Sequence, residues 1–251
     1  MRPFLILAVA LMGFVTSGSA EGQGSAADNG TDPTKLRRMV WSSYEHMELR
    51  KGASRDLVKL MYETPVSAKT SLRFAIPFAA YDAAGLDGSL ALGDVSLRAT
   101  HLLSVTRKRG VVVQGELFAD TAQRSELGYG SAAAKATIIY AKFLESGAIF
   151  APALAHTETL SSGSSRVSET VADFYYVPKL RNAANYMTID PAIVANWQGD
   201  AYYGSLAVTM GRTMGPALGG AWQAYVKPSI FVGSDRPSNW AIEVGVRVLG
   251  F

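Results

Sequence analysis

Residues 218–232, with the sequence LGGAWQAYVKPSIFV, alternate in polarity over fifteen consecutive positions. Alternation with a period of two is the pattern of a β-strand that has one apolar and one polar face. The apolar face carries Leu218, Gly220, Trp222, Ala224, Val226, Pro228, Ile230 and Val232. Soluble strands are usually shorter, whereas a tilted strand of about 9–11 residues crosses a membrane. The stretch therefore predicts a membrane-spanning strand.

Eleven further segments show the same alternation, and turn residues separate them. They are 36–46, 56–64, 71–78, 93–106, 111–119, 135–144, 147–159, 167–180, 186–197, 201–210 and 239–251. Together with 218–232 they predict an all-β fold, an antiparallel transmembrane β-barrel of about 12 strands.

The connections between these segments alternate in length. One set contains the long connections and comprises 47–55, 79–91, 120–134, 161–166, 198–199 and 233–238; the interleaved set comprises 65–69, 107–110, 145–146, 181–185 and 211–216. Outer-membrane barrels have long external loops and short periplasmic turns. The pattern therefore favours a barrel with both termini in the periplasm, and an exported soluble β-domain is the alternative.

The N-terminus has the features of a secretory signal. Arg2 precedes the uncharged apolar run 4–15, and small residues follow up to Ala20. The run is too short to cross a membrane as a helix, so we expect a signal peptide over 1–20 that is cleaved after Ala20. Residues 21–34 are small and polar and predict a flexible periplasmic lead-in, with an inward-folded plug as the alternative, which leaves 35–251 for the barrel.

Composition excludes several classes of protein. The formal net charge is only +3, which gives no support to nucleic-acid binding. Cysteine is absent, which excludes disulfides, a lipoprotein anchor and thiolate metal sites. Beyond the signal no apolar run is long enough for a helical membrane span. No cofactor is expected.

Charged residues on the polar faces of the strands predict the lining of the lumen. The pore-lining candidates are Arg73, Arg98, Glu116, Asp190, Lys227, Glu243 and Arg247, and Asp173 has the same parity. Arg98 and Glu116 lie on strands joined by the predicted turn 107–110, so we expect them to pair. These charges either form a constriction in the pore or are internal ion pairs that hold the strands in register.

Three histidines allow a test of the idea that the barrel is an enzyme. Phospholipid hydrolysis needs a nucleophile beside a general base. His101 and His156 have the parity of the lipid-facing side, but no serine follows either at the spacing of known lipid-hydrolysing barrels. His46, His101 and His156 are too dispersed for a metal site. Catalytic residues and metal ligands are therefore not predicted, and a lipid hydrolase remains an alternative.

Three stretches resemble a known family. They are TSLRFAIP at 70–77, LGDVSLRAT at 92–100, and the terminal strand that we expect to run from Trp240 to Phe251. Their order is similar to that in outer-membrane barrels of the MetA-pathway phenol-degradation, or transporter-like, family. The resemblance implies passage of small, hydrophobic or aromatic molecules and carries over no catalytic residue.

The resulting hypothesis is a channel in the outer membrane of a Gram-negative bacterium. Its expected partners are outer-membrane lipid, the barrel-assembly machinery and a small-molecule solute, with no nucleic acid. A lipid-acting barrel enzyme and a structural or adhesive barrel are the alternatives.

Overall fold

A computed structural model describes residues 29–84, 88–161 and 166–251. Every element of the described chain that is longer than three residues is a β-strand. Two one-turn 3-10 helices, Arg50–Gly52 and Ser125–Leu127, lie in connections. The strands are β1 (Met39–Leu49), β2 (Ser54–Pro65), β3 (Thr70–Asp82), β4 (Ala91–Leu92), β5 (Ser96–Val105), β6 (Arg109–Phe118), β7 (Ala133–Phe143), β8 (Ile149–Thr159), β9 (Ser168–Val177), β10 (Asn185–Asn196), β11 (Ala201–Ala217), β12 (Gly220–Val232) and β13 (Ser238–Leu249).

The strands form one closed antiparallel barrel. Each long strand pairs with its neighbours along the chain, and β1 pairs with both β2 and β13, which closes the sheet. Twelve strands build the wall, because the two-residue β4 only extends the edge of β3. Closure satisfies the backbone of every wall strand, as a membrane requires. The predicted all-β fold and strand number are confirmed.

The distribution of side chains is inverted relative to a soluble protein. Large apolar side chains are exposed around the outside of the wall, among them Leu60, Phe74, Leu117, Ile193 and Val246. The buried positions on the inner face are largely polar and include Ser71, Thr100, Glu116, Thr188 and Gln223. This arrangement matches a hydrocarbon solvent outside and a polar lumen inside.

Two strand boundaries differ from the prediction at the β11–β12 hairpin. Residues 211–216, predicted as a turn, belong to β11, and the turn consists of Leu218 and Gly219 alone. The register shifts between Thr213 and Gly215, where Met214 is an extra residue opposite β12. Gly and Pro at 215–216 therefore mark a β-bulge and not a chain reversal.

The prediction for the C-terminal strand is also corrected. The strand ends at Leu249 and does not reach Phe251. Gly250 has φ +77° and donates its N–H to the carbonyl of Arg38 at 2.9 Å, so the chain leaves the strand geometry there. Phe251 is half-buried, with the Arg38 guanidinium 5.9 Å from its ring centroid.

The two longest connections, 83–95 and 119–132, are joined by Asp94. Its buried carboxylate accepts backbone N–H groups of Thr121 at 3.1 Å, Ala122 at 3.0 Å and Tyr129 at 2.6 Å. The Tyr129 ring packs edge-on against Phe118 at 4.8 Å, and burial raises the pKa of its hydroxyl to about 12. Asp94 therefore connects two loops that are distant in sequence.

Within the described residues, the structure contains no helix of the length and hydropathy that a membrane-crossing helix needs.

Candidate functional site: the lumen

Two matching ion-pair units lie side by side on the inner wall. Arg73 on β3 donates two hydrogen bonds to Glu63 on β2, through Nε at 2.8 Å and Nη2 at 2.6 Å. Arg98 on β5 binds Glu116 on β6 in the same way, at 2.9 and 2.6 Å. The predicted pairing of Arg98 with Glu116 is present. Charge-assisted bonds of this kind hold a guanidinium in one orientation.

A serine completes each unit. Ser71 donates to the second oxygen of Glu63, and Ser96 donates to the second oxygen of Glu116, both at 2.8 Å. In each unit the carboxylate is the more buried partner: the exposed fractions are 10% and 19% for Glu63 and Arg73, and 7% and 23% for Glu116 and Arg98. The guanidinium groups therefore face the lumen more than the carboxylates that hold them.

The two arginines are direct neighbours. Arg73 and Arg98 are paired across β3 and β5, so two like charges share one position on the wall. The guanidinium of Arg73 stacks on the ring of Trp41 on β1, with Cζ 4.8 Å from the ring centroid. Lys135 on β7 is paired with Glu116 and extends this basic strip. Two carboxylates and an aromatic face offset the repulsion between the arginines.

Two aspartates form an acidic strip on β9 and β10. Asp173 and Asp190 lie on the inner faces of these adjacent strands, and Thr188 donates a hydrogen bond to Asp190 at 3.0 Å. The Oδ1 atoms of both aspartates are shielded and accept no hydrogen bond from any residue that the structure describes. In the order of strands around the barrel, β9 and β10 lie across the lumen from β3 and β5.

A third charged group occupies β12 and β13. Lys227 lies 3.8 Å from Glu243, which also accepts the hydroxyl of Tyr225 at 2.5 Å. Arg247 donates to Gln223 at 2.8 Å, and the ring of Tyr186 lies 4.8 Å from its guanidinium.

The chain before β1 lies inside the barrel. Thr31, Asp32 and Thr34 are buried, and Asp32 accepts the backbone N–H of Thr34 at 2.9 Å and its hydroxyl at 2.7 Å in a tight turn. Tyr175 donates to the carbonyl of Thr31 at 2.9 Å, and Arg247 donates to the carbonyl of Asn29 at 2.9 Å. We call residues 29–37 the lumen segment. Its neighbours place it at the end of the barrel that carries the termini and the short turns.

A cavity of about 480 Å³ lies between the lumen segment and the wall. Its lining includes Trp41, Arg73 and Arg98 on one side and Asp173, Tyr175 and Asp190 on the other. This volume is in the range of small-molecule sites.

All seven pore-lining candidates lie on the inner face of the wall, and four of them, Arg73, Arg98, Asp190 and Lys227, line this cavity. Glu116 and Glu243 are more buried than their partners Arg98 and Lys227. Arg247 donates a hydrogen bond to the lumen segment. Sequence reasoning missed Glu63 and Trp41, and it left the inward fold of the segment before β1 as an alternative. The parity of 56–64 would have placed Glu63 inside, but a polar run such as 29–37 carries no signal for its packing. Residues 1–28 lie outside the described part, so the signal peptide and its cleavage site stay predictions.

The histidines lie on the outer surface. His101 and His156 are exposed, as their parity predicted, and each shares a hydrogen bond of 2.9 Å with a threonine, Thr70 and Thr170. His46 contacts Asp56 at 2.8 Å. Among the described residues no serine hydrogen-bonds to a histidine, and no cluster of potential ligands fits a metal ion.

Five aromatic residues lie near the ends of the strands, where outer-membrane barrels have aromatic girdles, and three of them are exposed on the outer surface: Trp197, Tyr202 and Trp240. The other two differ. Tyr81 is paired with Arg55 and faces inward, and Tyr129 belongs to an external connection.

Solved structures of outer-membrane barrels share this fold. The COG4313 outer membrane channel from Pseudomonas putida F1 is 12% identical with a TM-score of 0.67, covering 85% of this chain and 95% of its own. The NanC porin is 10% identical with a TM-score of 0.58, covering 84% and 98%. The KdgM porin, in complex with disordered oligogalacturonate, is 8% identical with a TM-score of 0.57, covering 83% and 98%.

At these identities the likeness establishes the fold alone. No family model and no curated protein matches the sequence. The resemblance to the phenol-degradation family is therefore not confirmed.

Proposed function

We propose that this protein is an outer-membrane channel for small molecules. The observation that carries the proposal is the charged inner wall around a cavity of about 480 Å³, enclosed by a barrel with an apolar outer surface. The ion pairs also present charged groups to this cavity, as the wall of a channel that contacts passing solutes requires. The fold is shared with proteins described as channels and porins, which supports the same role.

We further propose that the solutes of this channel are hydrophobic or aromatic molecules. Trp41 and Tyr175 contribute aromatic surface to the cavity in the lumen. A second cavity, of about 340 Å³, lies on the outside of the wall and is lined mainly by apolar side chains such as Phe74, Leu97 and Leu117. An aromatic solute would find complementary surface at both places.

The proposed location is the outer membrane of a Gram-negative bacterium, with the connections 83–95 and 119–132 outside the cell and the termini in the periplasm. The even number of wall strands and the greater length of these two connections support this orientation. Trypsin added to intact cells should cleave within 119–132 and leave the turn 106–108 intact.

Planar-bilayer recording tests the channel directly. The purified protein should produce discrete current steps in KCl, and liposomes that contain it should swell in a small neutral sugar. Liposomes reconstituted with the heat-unfolded protein are the control. The absence of both current and swelling would contradict the proposed function.

A further inference from the structure

We propose that the cavity in the lumen binds and passes small zwitterionic molecules, with the anionic group of the solute at Arg73 and Arg98 and its cationic group at Asp173 and Asp190. This inference rests on the proposed channel function and names a substrate class for it. Four features of the lumen support it.

The arginine side is preorganised to receive an anion. Each guanidinium uses Nε and Nη2 on its own glutamate, which leaves Nη1 of Arg73 and of Arg98 without an assigned acceptor among the described residues. Because the glutamates are the more buried partners, the exposed part of each unit is positively charged. Two adjacent guanidinium groups favour a planar carboxylate.

The aspartate side is arranged to receive a cation. Asp173 Oδ1 and Asp190 Oδ1 are shielded from solvent, and no donor in the described chain reaches either atom. Shielded carboxylate oxygens without a donor are costly, so a bound ammonium group would be stabilising. Lys227 lines the same cavity and attracts both aspartates electrostatically, but its ammonium group lies 3.8 Å from Glu243, which shares its charge.

The two sides face each other across one cavity. Arginines on β3 and β5 and aspartates on β9 and β10 line the same space of about 480 Å³. Opposite charges on facing walls produce an electric field across the lumen. A solute with both charges can align with this field, whereas a solute with one charge gains at one wall and is repelled at the other.

Aromatic surface lies next to both charged sides. Trp41 stacks beneath Arg73, and Tyr175 lines the cavity near the aspartates. The space between the two charged groups therefore suits an apolar or aromatic body. An amino acid with an aromatic side chain combines these properties.

Block of the KCl current through single channels tests the inference with four solutes that share a phenylpropanoyl skeleton and differ in the charged groups that they carry. Phenylalanine is the zwitterion, phenylalaninamide the cation, 3-phenylpropionate the anion and 3-phenylpropionamide the neutral molecule. We expect phenylalanine to block at a concentration about tenfold lower than any of the other three, as expected for one added charged hydrogen bond.

Two double variants of the full-length protein separate the two sides. Asp173→Asn with Asp190→Asn should weaken block by phenylalanine about tenfold and leave block by 3-phenylpropionate unchanged or stronger. Arg73→Gln with Glu63→Gln removes a charge and its partner together, and should weaken block by phenylalanine and by 3-phenylpropionate alike. Asp56→Asn, on the outer surface, is the matched control and should leave the block by all four solutes unchanged. Heat-modifiable gel mobility reports that each variant is folded.

Equal block by all four solutes, stronger block by phenylalaninamide than by phenylalanine, or no effect of the aspartate variants would overturn the inference and leave the channel intact. Absence of any current would instead contradict the proposed function. In that case calorimetric titration of the folded protein with phenylalanine and phenylalaninamide decides the inference, and no preference for phenylalanine would overturn it.

Discussion

At the scale of single residues, Asp94 is the strongest example of a side chain that organises distant parts of the chain. Its carboxylate accepts three backbone N–H groups from the connection 119–132, and it is almost fully buried. The backbone of this connection would otherwise have unpaired donors. One acidic side chain therefore holds the longest loop against the mouth of the barrel.

Asp94→Asn should release that loop. The amide replaces one acceptor oxygen with a donor that faces backbone N–H groups, and the remaining bonds lose their charge, which costs about 3 kcal/mol. Trypsin should then cleave after Arg124 faster than in the parent protein. Asp120→Asn, an exposed position in the same loop, is the control; equal cleavage of the two variants would contradict the role of Asp94.

The ion pair of Arg98 and Glu116 makes a second prediction at this scale. Arg98→Met leaves the hydroxyl of Ser96 as the one hydrogen-bond donor to the buried Glu116 carboxylate among the described residues, and should lower the free energy of unfolding by about 3–5 kcal/mol. The double variant Arg98→Met with Glu116→Met should recover most of this loss, because no lone charge remains. Guanidinium unfolding in detergent, followed by tryptophan fluorescence, measures both. Additive losses would mean that the pair is not coupled.

At the scale of elements, the hairpin of β11 and β12 shows how backbone conformation sets a boundary. Leu218 and Gly219 have φ +52° and +83°, the signature of a two-residue type I′ turn. Glycine adopts this conformation freely, whereas leucine is strained in it. The turn forms because the strands on both sides are long and fully paired, and their pairing outweighs the strain.

Leu218→Asn should therefore stabilise the barrel by about 1 kcal/mol, because asparagine tolerates positive φ. Leu218→Val should destabilise it, because a β-branched side chain fits this conformation least well. Thermal unfolding followed by the shift in gel mobility provides the measurement. Met214→Asn and Met214→Val, at an exposed position of β11, are the controls. If they change the thermal stability in the same order as the Leu218 variants, backbone strain is not the cause.

At the scale of the whole molecule, the lumen segment links the start of the chain to the barrel. It packs against strands that are distant in sequence, through Tyr175 on β9 and Arg247 on β13. Gly110 on β6 lies directly against Thr34, and a side chain at this position would collide with the threonine methyl group. The barrel therefore leaves room for the segment by having a glycine at the point of contact.

Gly110→Val should displace the segment and roughly double the single-channel conductance, because the segment narrows one end of the pore. Gly115→Val is the matched control: it lies on the same strand, and nothing in the described chain comes within 4 Å of an added Cβ there. An unchanged current in Gly110→Val would show that the segment does not limit flow.

The class of fold, the number of wall strands and the face on which most charges lie could all be predicted from the sequence. These follow from local alternation, because a period of two places residues on one side of a strand whatever its partners are. The sequence also predicted the pairing of Arg98 with Glu116, since both lie on strands joined by a short turn. Three features follow from the tertiary structure alone: residues 29–37 lie inside one end of the barrel, β11 continues through a bulge to Ala217, and arginines and aspartates face each other across one cavity. These features depend on closure of the barrel, which brings β3 opposite β9 and β10 at distances along the chain that no local pattern encodes.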